Sequence, residues 1–447
     1  MFLPTIAGYT LLCGQTTLTR LERLILSFTV GTGLLAFYLF GLLFLKIPFS
    51  ALSIGPFFLP FLMIGLMRRS EMAKLLEPPL RFPLAGFSRS QKAIFFFLTA
   101  LMVWKLFFVL FMIFSGPTEF WDSITLWNYK AKFIYYGNGS NIGNGAEQIM
   151  KGEFQHYPLN LPIIRAWIAT FMGQWDEGFI NVHSLLLFLC LLGLEYEFLK
   201  KMTGKIQALI LTCMLTGIPV LVYNVLSGYA DMAVGYYFLA ATLMLFHWHR
   251  NRSNAFLAYA GILVSLAMFT KNEGTTIVFP SLFLTFLICL LSSRHTRKSA
   301  ASGIVLFLLP TVVIIVWFAQ SGALSAIITI SGLRESGLAF HSEGLAPLIS
   351  RLFVDRTYNL FWFGVAFLFV VNWRKSLASG AWFFLIPLVL SSSAIVFVFL
   401  FTPNVVWLIN GTTINRTMLV IIPILTVTSG FLLSSDNISD KVRRQHE

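Results

Sequence analysis

Apolar blocks about as long as a bilayer is thick recur along this chain, and they leave few folds open to it. Leu24–Leu45, Ala93–Phe114 and Ser302–Phe318 are such blocks, each bounded by short polar punctuation. As helices they approach the roughly 20 residues needed to cross a hydrocarbon core. Their Phe, Leu and Ile runs show no alternation, which a transmembrane β-barrel would require in segments of about ten residues. Composition agrees, since 57% of the 447 residues are apolar and only 11% are charged, against about 25% charged in a soluble domain. The expected class is all-α, a polytopic integral membrane protein in a lipid bilayer with about 12–13 transmembrane helices. Spans are expected near 2–14, 24–45, 50–67, 93–114, 178–199, 206–224, 229–247, 254–270, 274–292, 301–319, 358–372, 379–401 and 413–433, which makes 13, or 12 without the first.

Residues 1–14 have no basic region before the apolar run and no small-residue cleavage site after it, so they read as a short first span rather than a signal peptide. Cys13, Cys190, Cys213 and Cys289 all fall in apolar stretches without the paired spacing of a metal site. The net charge of +13 does not point to nucleic acid, because the cations are scattered between apolar blocks rather than clustered on one face.

The connecting segments alternate in charge, and Lys and Arg favour the cytoplasmic side of a membrane. One set, from Arg20 and Arg23 through Lys200, Lys201, Arg250 and Arg252 to Arg444, holds 21 cations, and the opposite set holds ten. The 21-cation face is expected to be cytoplasmic. Eleven of the 19 acids lie on the other side, most of them in two long segments, 115–177 and 320–357. Acids do not set topology, and loops this long in a compact protein are usually functional. They read as structured caps, with short juxtamembrane helices, over an extracytoplasmic cavity.

Within the first cap, Ile124, Trp127, Ala131 and Ile134 recur at helical spacing and form an apolar stripe suited to lying along a membrane surface. Asp122 stands at its start, as either a helix cap or a reactive carboxylate. His156 precedes Tyr157-Pro-Leu-Asn-Leu-Pro162, where two prolines fix an extended approach to an apolar segment. Asp231 lies on the edge of an otherwise apolar span, where an ionised group is costly and is a functional candidate by default, or else a cap. Thr270-Lys-Asn-Glu-Gly274 packs Lys271 and Glu273 into a short outer turn, which either solvates the turn or presents a compact charge to a phosphate. Arg416, in Asn410-Gly-Thr-Thr-Ile-Asn-Arg-Thr417, poses the same choice. Asp176 and Glu177 read as a cap pair. No phosphate loop, dinucleotide fingerprint, zinc helix or nucleophile elbow is present.

Asp122 with Trp127 and Lys130-Ala-Lys132, the Tyr157–Pro162 segment, Tyr229-Ala-Asp231, Thr270–Gly274 and the final Asn-Arg before an apolar span together resemble bacterial multi-span glycosyltransferases of the GT-C class. The nearest branch is similar to dolichyl-phosphate-mannose protein mannosyltransferases and the lipid A aminoarabinose transferase. The resemblance covers most of 93–433 in order. It implies transfer of a sugar from a polyprenyl-phosphate donor to an acceptor at the extracytoplasmic face, in a bacterial inner membrane, with an acid of the first outer loop as base. That role falls on Asp122, with Glu119 close by. The chain has Glu119-Phe-Trp-Asp122 where the protein mannosyltransferases carry an adjacent Asp-Glu pair, so either carboxylate can hold the role.

Inverting displacement of a lipid phosphate needs a base for the incoming hydroxyl and cations for the departing phosphate. Lys271 and Arg416 are the expected phosphate contacts, Lys130, Lys132 and Arg356 are reserves, and Asp231 orients the acceptor or shares the proton transfer. Glu273, His156, Tyr157 and Trp127 complete the substrate contacts. No cofactor is required; a divalent metal at Asp122, Asp231 and His156 is chemically conceivable, but the spacing does not argue for it. The chain divides into 1–92 (accessory membrane helices and a basic cytoplasmic loop), 93–300 (catalytic core) and 301–447 (C-terminal membrane helices with the second cap). Two other classes handle lipid-linked saccharides: a transporter or flippase, and an O-antigen-type ligase or polymerase. The second would draw on Arg334, His341, Arg351 and Arg356.

Overall fold

The computed structural model describes residues 1–73, 86–138, 157–292, 297–321, 338–372, 374 and 381–434. Every apolar block in this set is helical, and no strand occurs among the described residues. Six helices are long and apolar enough to cross a membrane, namely Arg20–Phe44, Arg89–Phe114, Glu177–Thr203, Gly274–Leu291, Ala301–Ala319 and Trp382–Phe401. Two further spans qualify only as bent pairs, Lys205–Thr216 with Pro219–Ser227 at 63° and Ile414–Val420 with Ile422–Leu433 at 55°. Phe2–Leu12, Ala51–Met67, Asn254–Thr270 and Phe361–Val371 are apolar but shorter. The expected count of 12–13 thus comes down to six to eight helices that meet the length of a bilayer crossing. An 11-residue helix rises only about 16 Å, roughly half a hydrocarbon core.

Both bends have a local cause. Pro219 and Pro423 each stand in the first turn of the second half. A proline there has no amide to bond back across the break, and its ring starts a helix better than it continues one.

Asp231–Asn251 is the central helix. It is buried without a gap from Asp231 through Leu245, as expected of a helix enclosed by others on all sides. Gly235 lets the chain at Leu419 come close, since a Cβ there would crowd the Leu419 carbonyl. Gly8 and Gly31 do the same where Phe2–Leu12 crosses Arg20–Phe44, because either Cβ would overlap a carbonyl of the facing helix. Ala51–Met67 and Arg89–Phe114 are peripheral and expose most of their apolar side chains, as a lipid-facing helix does.

The stripe expected to lie along the membrane surface instead faces protein. The segment opens with a π-helical turn, Ser123–Trp127, and continues as the α-helix Asn128–Tyr136. Trp127, Ala131 and Ile134 are buried, packed beneath the helix Asn160–Met172, whereas Ile124 is exposed. A π turn has a wider ring than an α turn, so it rotates Ile124 out of the stripe that α spacing would give.

Candidate functional site

One end of the bundle gathers five of the expected residues from four distant stretches. Asp122 follows the helix Arg89–Phe114, and Asp231 is the first residue of the central helix. Lys271 and Glu273 fill the turn after Asn254–Thr270, and Arg416 opens the last, bent helix pair. Lys271 Nζ bonds Asp231 Oδ1 at 2.6 Å and Glu273 Oε1 at 2.7 Å. Arg416 Nη1 bonds Asp122 Oδ2. Arg416 also lies within electrostatic reach of Asp231, and Tyr157 lies within reach of Lys271, Glu273, Asp122 and Arg416 together. The two ion pairs are therefore halves of one site.

Neither leading acid is a helix cap. Asp122 precedes the π turn without bonding its amides, and its own N–H donates to the Tyr229 hydroxyl at 3.3 Å. The Asp231 side chain is taken by Lys271 and by Asn224 Nδ2 at 3.4 Å, while Asn224 Oδ1 accepts the Met232 N–H at 2.9 Å. The residue that does cap is Asp176, which accepts the Phe179 N–H at 3.0 Å. Its neighbour Glu177, expected to share that task, instead accepts the Thr118 N–H at 2.8 Å and pairs with Lys132 at 3.0 Å.

Gly274 makes the turn possible. A Cβ at this position would overlap the Ala267 carbonyl, so only glycine lets the π turn Gly274–Val278 fold back against Asn254–Thr270 and bring Lys271 to Asp231. Asn160 Nδ2 holds Thr270 at 2.8 Å from the other side. Burial alone would lower the Lys271 pKa, but Asp231 and Glu273 outweigh it and hold the ammonium above the ordinary lysine range.

Exposure separates the two halves. The Asp231 and Lys271 side chains are 2% and 8% exposed, whereas Asp122 is 30% exposed. Asp122 is therefore the most accessible carboxylate of the cluster, ahead of Glu273 at 17%. The buried Nε–H of Arg416 meets no acceptor among the described residues. Its guanidinium lies 4.8 Å from the Tyr229 ring centroid, a cation–π contact that orients the fork.

The remaining candidates lie elsewhere. Lys130 is buried, donates to the Tyr157 carbonyl at 2.7 Å and sits over the Trp317 ring, and burial lowers its pKa to about 7. Lys132 faces Glu177 and Trp175. Trp127 is buried edge-on to Tyr157, with ring centroids 5.6 Å apart. Glu119 and Arg356 are exposed and make no ion pair among the described residues. His156 lies outside the described residues, as does Arg334. Among the described residues no three His, Cys, Asp or Glu side chains gather as a metal site.

Three participants were not among the expected site residues, although Tyr229 stood in the Tyr229-Ala-Asp231 motif. Tyr229 touches both Asp122 and Arg416, Asn224 braces Asp231, and Tyr358 donates to the Asn415 carbonyl beside Arg416. An asparagine inside the apolar run Pro219–Ser227 was the one signal available for Asn224. No family model matches the chain, and neither a curated protein nor a solved structure matches it.

Proposed function

We propose that this chain is an inverting glycosyltransferase that takes a sugar from a polyprenyl-phosphate donor at the extracytoplasmic face of a membrane. Counting both bent pairs and the four shorter apolar helices it has 12 crossings, or 13 with the central helix Asp231–Asn251. The observation that carries this reading is the convergence of Asp122, Asp231, Lys271, Glu273 and Arg416, from segments up to 294 residues apart, on one end of the bundle. That end lies opposite the cations Arg20, Arg23, Lys200, Lys201, Arg250 and Arg252, and the positive-inside bias supports an extracytoplasmic position for it.

The chemistry follows from the two halves. The donor phosphate meets the accessible part of the Arg416 guanidinium, and its negative charge competes with Asp122 for that group. Released from that bond, the Asp122 carboxylate accepts the proton of the acceptor hydroxyl. The acceptor oxygen forms the new bond to the anomeric carbon while the bond from that carbon to the phosphate oxygen breaks; the electron pair stays on that oxygen, and Arg416 and Lys271 stabilise the negative charge of the departing polyprenyl phosphate. Asp231 and Glu273 hold Lys271 in place for this.

The test is sugar incorporation from a lipid-phosphate donor by membranes carrying Asp122→Asn, Lys271→Ala or Arg416→Ala. Full turnover in a folded Asp122→Asn protein removes the base, and unchanged donor kinetics in both cation variants remove the phosphate contacts. A second reading, transport of a lipid-linked saccharide, is favoured by the two bent helix pairs, since broken helices frame many transporter sites. Movement of intact donor across vesicles without any covalent transfer would select it.

A further inference from the structure

Arg165 is fully buried, in the helix Asn160–Met172, and touches no member of the ion-pair cluster. Its two terminal nitrogens point to different parts of the chain. Nη1 donates to Asn128 Oδ1 at 2.8 Å, on the segment that carries Asp122, and Nη2 donates to the Gly228 carbonyl, in the turn that carries Tyr229 and Asp231. Gly228 has φ +63°, and a Cβ there would overlap the guanidinium, so this docking depends on glycine twice over. Asn128 in turn donates to the Thr118 hydroxyl at 3.4 Å, which also accepts from Asn181 at 2.9 Å. Along the same seam, the Ser123 hydroxyl donates to the Ser227 carbonyl.

A buried guanidinium with no directly bonded carboxylate among the described residues is a costly way to join two segments that a hydroxyl already joins. What it adds is a planar fork of fixed geometry, which sets a spacing as well as making a contact. We propose that Arg165 is a positioning residue that fixes the separation between the Asp122 segment and the Asp231 turn, and with it the distance from the base to the phosphate contacts. This rests on the transferase reading above. It goes beyond that reading in assigning a role to a residue that touches neither substrate.

Two readouts test it. Arg165→Lys keeps the charge but cannot reach both acceptors. In the sugar-transfer assay it is expected to lower kcat about 100-fold, the order expected when reacting groups are misplaced by about 1 Å. The donor KM is expected to stay within about threefold, because the fork bonds neither Lys271 nor Arg416 and its loss changes their distance from the base more than their own hold on the phosphate. The second readout needs no activity. Phe120 and Tyr223 face each other across the seam with ring centroids 4.7 Å apart, and in a Phe120→Cys, Tyr223→Cys pair a short bis-methanethiosulfonate reagent should bridge the space the two rings filled. Adding Arg165→Lys should slow that cross-linking about tenfold or more. If Arg165→Lys does not fold, Asn128→Ala removes one arm of the fork and is read in the same two ways. An unchanged cross-linking rate in a folded variant overturns the proposal, whatever happens to kcat, and so does unchanged kcat in a protein whose wild type is active. Absence of transfer in the wild type would defeat the transferase reading alone, and the cross-linking rate would still decide the role of Arg165 at the seam.

Discussion

At one end of the bundle Glu22 accepts the Thr19 amide at 2.6 Å in a reciprocal capping box and pairs with Lys201 at 2.7 Å. At the other, Asp122 and Asp231 stand at helix starts, cap nothing, and are held by Arg416 and Lys271. Glu22 stabilises the helix it belongs to, through groups three residues away. Asp122 and Asp231 depend on partners 294 and 40 residues away, and their own helices begin without their help. The two acids that their own helices do not use, held beside cations by the tertiary fold, are the ones proposed above for the chemistry.

The sharpest way to break this contrast is to neutralise one acid of each kind. Asp122→Asn is expected to cut sugar transfer by about 100- to 10,000-fold, the range for loss of a general base, with the melting temperature nearly unchanged. Asp176→Ala, which removes a true cap, should do the reverse and cost about 1 kcal/mol of stability with full turnover. Stability comes next. Lys271→Met leaves Asp231 buried and unpaired and should cost about 3–5 kcal/mol by denaturant or thermal unfolding in detergent, whereas Lys201→Met at the other end, where buried Glu22 keeps the Thr19 amide, should cost less, about 1–3 kcal/mol. Gly274→Ala forces a Cβ into the Ala267 carbonyl and should cost about 1–3 kcal/mol with loss of transfer.

The last prediction concerns pH. Lys130, outside the spans, has its pKa lowered by burial from 10.5 to about 7. Between those values the unfolded lysine holds a proton that the folded one has released, so unfolding takes up a proton and stability rises with pH. The slope contributed by this group cannot exceed about 1.4 kcal/mol per pH unit. Melting curves from pH 7 to 9 should show the rise, and Lys130→Met should flatten it.

The helices were legible in the sequence because a bilayer demands long apolar runs, and each expected span coincides with a helix or a broken pair. The breaks were less so. Pro219 and Pro423 are visible breakers, but 206–224 and 413–433 still read as continuous on hydropathy alone. Asp122, Asp231, Lys271, Glu273 and Arg416 were legible one at a time, as charges at the ends of apolar runs. Their assembly was not, because nothing in the sequence tells that Arg416 answers Asp122 rather than water. For the same reason the cap and the reactive carboxylate could not be told apart at Asp122, since both want an acid at a helix start. Arg165 was hidden more deeply, counted only as one more outer-side cation.

The 55° bend before the last helix has a consequence in the arithmetic of levers. Arg416 rides on a short arm, five residues from the break at Ile421, or about 7.5 Å of helix. Straightening the pair would swing the base of that side chain through an arc of about 7 Å, further than an ion pair of about 4 Å can follow. The register between Arg416 and Asp122 is therefore set by an angle as much as by any contact. Small rotations at Pro423, far smaller than full straightening, are enough to tune it.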